Sequence, residues 1–327
     1  ENAARIWRTW RAEGVLVDDA TSAFYVLEQT WTHEGRPVTR RAIIAAVELH
    51  DFSEGVVLPH ERTLPKHVAD RLDLTRTCSA NLSQVFSLFS DPAGETDGIF
   101  EAARHSEVLL SATDAEGVVS RVRAIRDTDT IETLQELLSD KQLFIADGHH
   151  RYTTALAYRD ERRAADAAAG IEHVGRPAYD FTMMALVNMD DPDLIVLPTH
   201  RQVRADRPFD AARFWSELSV YFDVEPATGH PAAALAAATR TSFLVKTADG
   251  TTRLATLRAD VDTANAIPGS ASAAWKNLDV TVLQELVLGP LFGIIPGDMS
   301  TLERLTFVKD AHDALKMENA DVSFIVN

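Results

Sequence analysis

Residues 143–156 read LFIADGHHRYTTAL, an apolar run that breaks at Asp147-Gly148 and resumes as a helix-forming, alanine-rich stretch. A short continuous apolar run is the pattern of a strand buried on both faces, and such a strand needs a sheet around it and helices over it. The break at Asp-Gly, with His149, His150 and Arg151 immediately after, predicts a strand, a tight turn and then a helix from about 150 to 167. This one segment therefore calls for a layered fold. It also places a dense group of ionisable residues where a strand hands over to a helix N-terminus.

That position has a chemistry. Gly148 lets a ligand approach the backbone closely. The first helical turn leaves N–H groups unpaired and carries the positive end of the helix dipole. Arg151 adds a guanidinium suited to phosphate oxygens, and His149 and His150 donate hydrogen bonds or move protons. Together Gly148, His149, His150 and Arg151 are expected to form a phosphate cradle, with Asp147 at its edge. The plainer reading makes Asp147 a helix cap and the histidines solvated first-turn residues.

The rest of the chain alternates hairpins and helices without a sustained βαβα rhythm, which predicts an α+β protein in two parts. A first helix ends at Gly14. AFYVLEQTWTH and TRRAIIAAVEL form a hairpin, as do SEVLLSATDAEGVVSRVRAI around Glu116-Gly117 and SFLVKTA with TTRLATLRA around Asp249-Gly250. Helices are expected over 66–89, over DTIETLQELLSD with Ile131, Leu134, Leu137 and Leu138 on its apolar face, over PFDAARFWSELSVYF, and over DVTVLQELVLGPLFGI up to Gly289-Pro290. YDFTMMALVNM and LIVLPTHRQV read as strands joined by the turn DDPD, and DVSFIVN as a last strand. The alanine- and glycine-rich AADAAAGIEHVGRPAY suggests a boundary between parts at 1–170 and 171–327.

A second group of candidates lies in LPHERTLPK, where Pro59 and Pro65 stiffen a loop carrying His60, Glu61 and Lys66. A glutamate beside a histidine suits a general base, and a lysine suits a transferring phosphoryl group. A charged surface loop is the ordinary alternative. His60, Glu61, Asp147, His149 and His150 also offer mixed nitrogen and oxygen ligation. Adjacent histidines seldom share one ion, however, and neither H-E-x-x-H nor C-x-x-C occurs, so no residue is assigned to a metal. His33, His50, His67 and His173 are scattered, and His200 and Arg201 read as satisfied surface polarity on a strand.

The formal net charge of -17 over 327 residues argues against a nucleic-acid partner. The single cysteine, Cys78, suits a reducing cytoplasm and is expected to be buried in a helix. No apolar run is long enough to span a membrane, so no membrane partner is expected.

ADGHHRYTTAL resembles the signature of the bacterial and archaeal domain of unknown function 1015 family. EGVVLPHERTLPKHVADRLDL, ANLSQVFSLF and WKNLDVTVLQELVLGPLFGI resemble the same family's pattern, in the same order. Members of that family carry further segments, one with Pro-Tyr-Asp and one with Lys-Ser-Thr-Tyr, and the natural ends of this protein are expected to lie beyond the present sequence. The G-H-H-R element is in turn similar to the phosphate motif of the ParB/sulfiredoxin-like superfamily, which includes nucleotide-using ParB proteins, sulfiredoxins and free-serine kinases. The resemblance implies a ParB/sulfiredoxin-like part over 1–170 and nucleotide phosphates at Gly148, His149, His150 and Arg151. It also implies Glu61 as the base, the role a glutamate has in the corresponding early motif of those kinases.

The expected activity is a nucleotide-dependent, reversible phosphotransfer to a small hydroxylated metabolite, with ATP or ADP as cofactor and Mg2+ between its phosphates. Catalysis would fall to Glu61, His60 and Asp147, and phosphate binding to Gly148, His149, His150, Arg151 and Lys66. A ParB-like regulatory binding module and a metal-dependent hydrolase are the competing expectations.

Overall fold

The computed structural model describes residues 2–33, 35–60, 63, 65–227, 231–317 and 319–327, with the side chains at 65–67 and 231–232 outside the description. It divides into two compact units, Glu1–Ile195 and Val196–Asn327. Each combines helices with a sheet, so the chain is α+β.

The first unit runs α1 (Asn2–Ala12), β1 (Phe24–His33), β2 (Arg36–Glu48), β3 (Val57–Leu58), α2 (Pro65–Cys78), β4 (Val85–Phe89), α3 (Asp97–Arg104), β5 (Val108–Thr113), β6 (Val119–Ile125), α4 (Thr128–Leu138), β7 (Leu143–Asp147), α5 (His149–Ala169) and β8 (Phe181–Asn188). Its eight strands lie in the order β3-β7-β4-β8-β2-β1-β6-β5. The register alternates apolar residues toward the helices: Val57, Val85, Ile145 and Met184 sit in one buried cluster with Leu134 of α4 and Tyr152 of α5. α4 starts where the Asp127 carboxylate accepts from the Thr130 N–H at 2.9 Å, and its fully buried Leu134 is flanked by Ile131, Leu137 and Leu138, as the periodicity predicts.

The pairing directions decide where the site lies. β3 and β7 are parallel, so both strands end at the same edge of the sheet. β4 is antiparallel to β7 and parallel to β8, so both of these begin there, and β2, antiparallel to β8, ends there. Five distant segments, after β2, β3 and β7 and before β4 and β8, thus meet at one edge.

Two expectations are corrected in this unit. The helix expected over 66–89 is α2 followed by β4, because Ser79 takes a left-handed φ of 50° and ends the helical path. β4 then buries Val85, Ser87 and Phe89 in the alternating pattern of a strand. The boundary expected at 170/171 lies at 195/196 instead: β8 pairs with both β2 and β4, so the sheet is incomplete without it. Cys78 is buried at the end of α2, as expected.

The second unit holds β9 (His200–Val203), α6 (Ala211–Leu218), β10 (Phe222–Pro226), α7 (Pro231–Ala236), β11 (Ser242–Thr247), β12 (Thr252–Leu257), β13 (Leu305–Val308) and β14 (Val322–Ile325), in an antiparallel sheet of order β10-β12-β11-β14-β9-β13. Phe214, Phe222, Phe243, Phe292 and Phe324 anchor its core. DDPD does not join a hairpin, since β8 and β9 belong to different sheets. The helix from Asp279 does not stop at Gly289-Pro290. Pro290 has no N–H to offer, the ladder widens to a π turn over Gln284–Leu288, and the helix continues to Phe292, where Gly293 closes it at φ 64°. His200 is buried rather than at the surface. Its Nδ1 accepts the Val326 N–H at 3.3 Å, and burial pushes its pKa down.

Candidate functional site

Asp147 is the last residue of β7, and Gly148 turns the chain with φ 100° and ψ 25° to open α5. A side chain is strained at that φ, and a Cβ there would stand 3.0 Å from Arg151 Nε. The turn is therefore glycine's for two reasons, backbone and packing. The Gly148 carbonyl accepts the Tyr152 N–H at 2.9 Å, the first bond of the α5 ladder.

α5 is held there from below. Tyr152 is fully buried, and its hydroxyl accepts from the His50 N–H at 3.0 Å and donates to the His50 carbonyl at 2.8 Å. Burial pushes the phenol up to about 12, so it stays protonated and keeps both bonds. Two turns on, Arg159 donates to the Leu49 carbonyl at 3.0 Å and reaches Asp51 at 3.2 Å. Both struts fasten the helix to the segment following β2.

Parallel pairing of β3 with β7 brings His60 onto the DGHHR turn. The His60 N–H donates to His149 Nε2 at 3.2 Å, and the two rings stand edge to face with centroids 4.3 Å apart. His149 is buried. Because its Nε2 accepts, a neutral His149 carries its proton on Nδ1. His60 Nδ1 faces the Ile145 carbonyl at 2.7 Å and must be the donor, so Nε2 is the lone-pair nitrogen of a neutral His60. The two motifs expected to act together are joined by these contacts.

Arg151 donates to the Gln84 carbonyl ahead of β4 and to the Asp147 carboxylate. Asp147 is three-quarters exposed and Arg151 about one-quarter, so the pair lies at the solvent boundary of the edge. The cap reading of Asp147 does not hold: α5 has no side-chain cap, and the carboxylate turns to Arg151 instead. His150 is half-buried next to it. Of the other assigned residues, Glu61 lies outside the described residues, and Lys66 stands in the first turn of α2 with its side chain outside them.

Among the described residues no group of three or more His, Cys, Asp or Glu is placed to hold a metal ion. No helix among them is long and apolar enough to cross a membrane.

The sequence reading missed the cleft beside the DGHHR turn. A cavity of about 620 Å³ opens between α2 and α5, bounded by Asp70, Arg71, Asn81, Arg151, Thr154 and Thr182. The available signal was the spacing of Arg151, Thr154, Tyr158 and Arg162, which puts all four on one face of a helix. Beyond the cleft, Asp166 accepts from the Tyr179 hydroxyl at 2.8 Å and meets His173 Nε2 at 2.7 Å. The bonds from His173 and Tyr179 hold its carboxyl below the usual range.

Comparison with known proteins finds no match among curated proteins. Among solved structures, a free serine kinase variant in complex with ADP is similar over 88% of this chain and 77% of its own, at 12% identity and a TM-score of 0.34. A conserved hypothetical protein from Pyrococcus furiosus is similar over 88% of this chain and 79% of its own, at 13% identity and a TM-score of 0.32. The family described as "Protein of unknown function (DUF1015)" matches residues 1–281, most of the chain, and the protein belongs to that family.

Proposed function

We propose that the protein transfers a phosphoryl group between a nucleotide, ATP or ADP, and the hydroxyl of a small metabolite. The observation that carries this reading is the cradle: a left-handed Gly148 that turns a strand end into a long helix, and Arg151 beside it, with His60 fastened onto the same turn. Phosphoryl transfer asks mainly for positioning and charge neutralisation, and this edge offers both. The first unit is read, on the same motif, as ParB/sulfiredoxin-like. The single cysteine accords with a cytoplasmic setting.

The backbone N–H groups after Gly148 and the Arg151 guanidinium hold the phosphates. Accepting a phosphate means Arg151 loosens from Asp147, which frees that carboxylate at the moment the site fills. Mg2+ would need only one or two protein carboxylates, and exposed Asp147 would hold it. The ion supplies neutralisation of the charge on the transferring group. Glu61, adjacent to His60 in the chain, takes the acceptor's hydroxyl proton. The acceptor oxygen bonds to the terminal phosphorus as the bridging P–O bond breaks, and the nucleotide leaves one phosphate shorter. Free serine is the acceptor that the family resemblance implies.

The test is transfer from labelled nucleotide into a metabolite mixture headed by serine, with the parent protein and Glu61→Gln side by side. The variant should keep nucleotide binding and lose ~10²–10⁴ in rate. Equal transfer by both removes Glu61 from the reaction. Firm nucleotide binding without transfer by either favours a binding module.

A further inference from the structure

The cleft beside the cradle does not end at Thr154. A second cavity of about 420 Å³ adjoins it, and the two share Thr75, Ala80, Asn81 and Ala155 as lining residues, so they form one trench along α5. Arg151, Thr154, Ala155, Tyr158 and Arg162 line it from the helix side. Their spacing makes a single stripe, roughly 16 Å long from first to last at 1.5 Å per residue. The opposite wall is α2 and the segment after Ser79, the residue whose left-handed φ turns the chain out of the helix.

We propose that this trench holds the base and sugar of the nucleotide whose phosphates occupy the cradle, a proposal that rests on the phosphate reading above. Arg151 belongs to both, as the residue that ends one site and begins the other. The chemistry changes along the trench in the order a nucleotide requires. Next to Arg151 the lining carries the polar groups of Asp70, Thr154 and Thr182 beside Leu74 and Leu82, and a carboxylate there accepts from sugar hydroxyls. Farther on it becomes aromatic, with Tyr158, Tyr179 and Phe181. The Tyr179 ring is fixed, because its hydroxyl donates to Asp166. Stacking on such rings is how proteins hold a base of any identity.

Asn81 lies at the junction and lines both cavities. Its Oδ1 accepts from Thr182 Oγ1 at 3.1 Å, which orients the amide so that its NH2 donates. A donor at that point matches a ring nitrogen or carbonyl of a base. Charge agrees as well. In a chain of net charge -17, Arg71 and Arg151 line the trench together with Arg162, which is paired with Asp166, and Asp70 is the one acid among the lining residues of the two cavities. An anionic ligand with a flat aromatic end satisfies both features together.

The experiment is calorimetric titration of ATP, ADP and inorganic tripolyphosphate against the parent protein and Tyr158→Ala, Asn81→Ala and Arg151→Ala. The two trench variants should bind ATP and ADP about tenfold or more weakly while binding tripolyphosphate as the parent does, since stacking and base contacts are lost and phosphate contacts kept. Arg151→Ala should weaken all three ligands. Unchanged nucleotide binding in both trench variants overturns the proposal. So does an equal loss for nucleotide and tripolyphosphate, which would mean the trench only supports the cradle. Failure of the phosphate reading looks different: Arg151→Ala then leaves tripolyphosphate binding untouched. Tripolyphosphate binding by each trench variant also reports that it has folded.

Discussion

Replacing Gly148 with alanine separates the two roles of that residue. The first is backbone conformation: at φ 100° an alanine is strained by about 1–2 kcal/mol, whatever surrounds it. The second is room. The new Cβ would stand 3.0–3.2 Å from three guanidinium atoms of Arg151, which must then leave the Gln84 carbonyl and Asp147. One hydrogen bond to a carbonyl and one solvent-exposed ion pair are together worth about 1–2 kcal/mol. The sum, about 2–4 kcal/mol, lowers the melting temperature by roughly 4–16 °C in a unit of this size. A double-mutant cycle with Arg151→Ala isolates the second part. In the Arg151→Ala background the strain remains and the crowding is gone, so Gly148→Ala should cost only about 1–2 kcal/mol there. The same displacement should weaken tripolyphosphate binding in Gly148→Ala as far as Arg151→Ala does. Thermal or chemical denaturation and titration calorimetry supply both numbers. An identical loss of stability in the two backgrounds would refute the close contact with Arg151. A loss below about 0.5 kcal/mol in the parent would refute the strained turn itself.

Tyr152→Phe keeps the ring and deletes the hydroxyl that satisfies both backbone groups of His50, so it should cost about 1–3 kcal/mol in denaturant titrations and loosen the seat of α5; unchanged stability would show that the strut carries nothing. Asp166→Asn tests the His173 and Tyr179 cluster through pH. The native carboxyl sits below its ordinary pKa, so its contribution is complete above the unfolded value near ~3.9 and is lost as pH falls through the lower native value. Melting temperatures of parent and Asp166→Asn should therefore differ at neutral pH and converge as the medium is acidified below about pH 4. Parallel curves would refute the linkage.

Local chemistry was legible in the sequence and pairing was not. LFIA followed by Asp-Gly can hardly be anything but a strand and a turn, and β7 and α5 stand where that pattern puts them. Asp249-Gly250 likewise marks a hairpin on its own, with Gly250 at φ 87° between β11 and β12. The end of α2 was illegible because TRTCSANLSQ contains neither glycine nor proline, and a serine takes the left-handed position. The membership of β8 in the first sheet was illegible for another reason. It depends on its pairing with β2 and β4, strands far earlier in the chain, and no local feature of YDFTMMALVNM records them. The DGHHR turn was legible because its parts are adjacent in sequence. The trench was overlooked because Asn81 and Tyr179 come from segments that meet only once the sheet exists, although the α5 half of its lining was spelled out by spacing.

The place of β14 in the second sheet has a consequence for the order in which that unit can be made. β14 lies between β11 and β9, bonded to both. Before it arrives, the sheet exists as two pieces, β10-β12-β11 on one side and β9-β13 on the other, each presenting an open strand edge. A ribosome delivers β13 and β14 last of these strands, so β9 waits, unpaired, and β11 keeps an open edge while the helices between β12 and β13 are synthesised. Phe243 and Leu244 of β11, which belong to separate apolar clusters flanking the sheet, stay without Phe324 and Ile325 of β14 through that interval. The first unit closes in the same way, since its last strand, β8, lies between β4 and β2, but it does so before any strand of the second is made. Synthesis therefore closes each sheet on an inner strand, the first before the second begins, and open edges of that kind are where chaperones act and where aggregation begins.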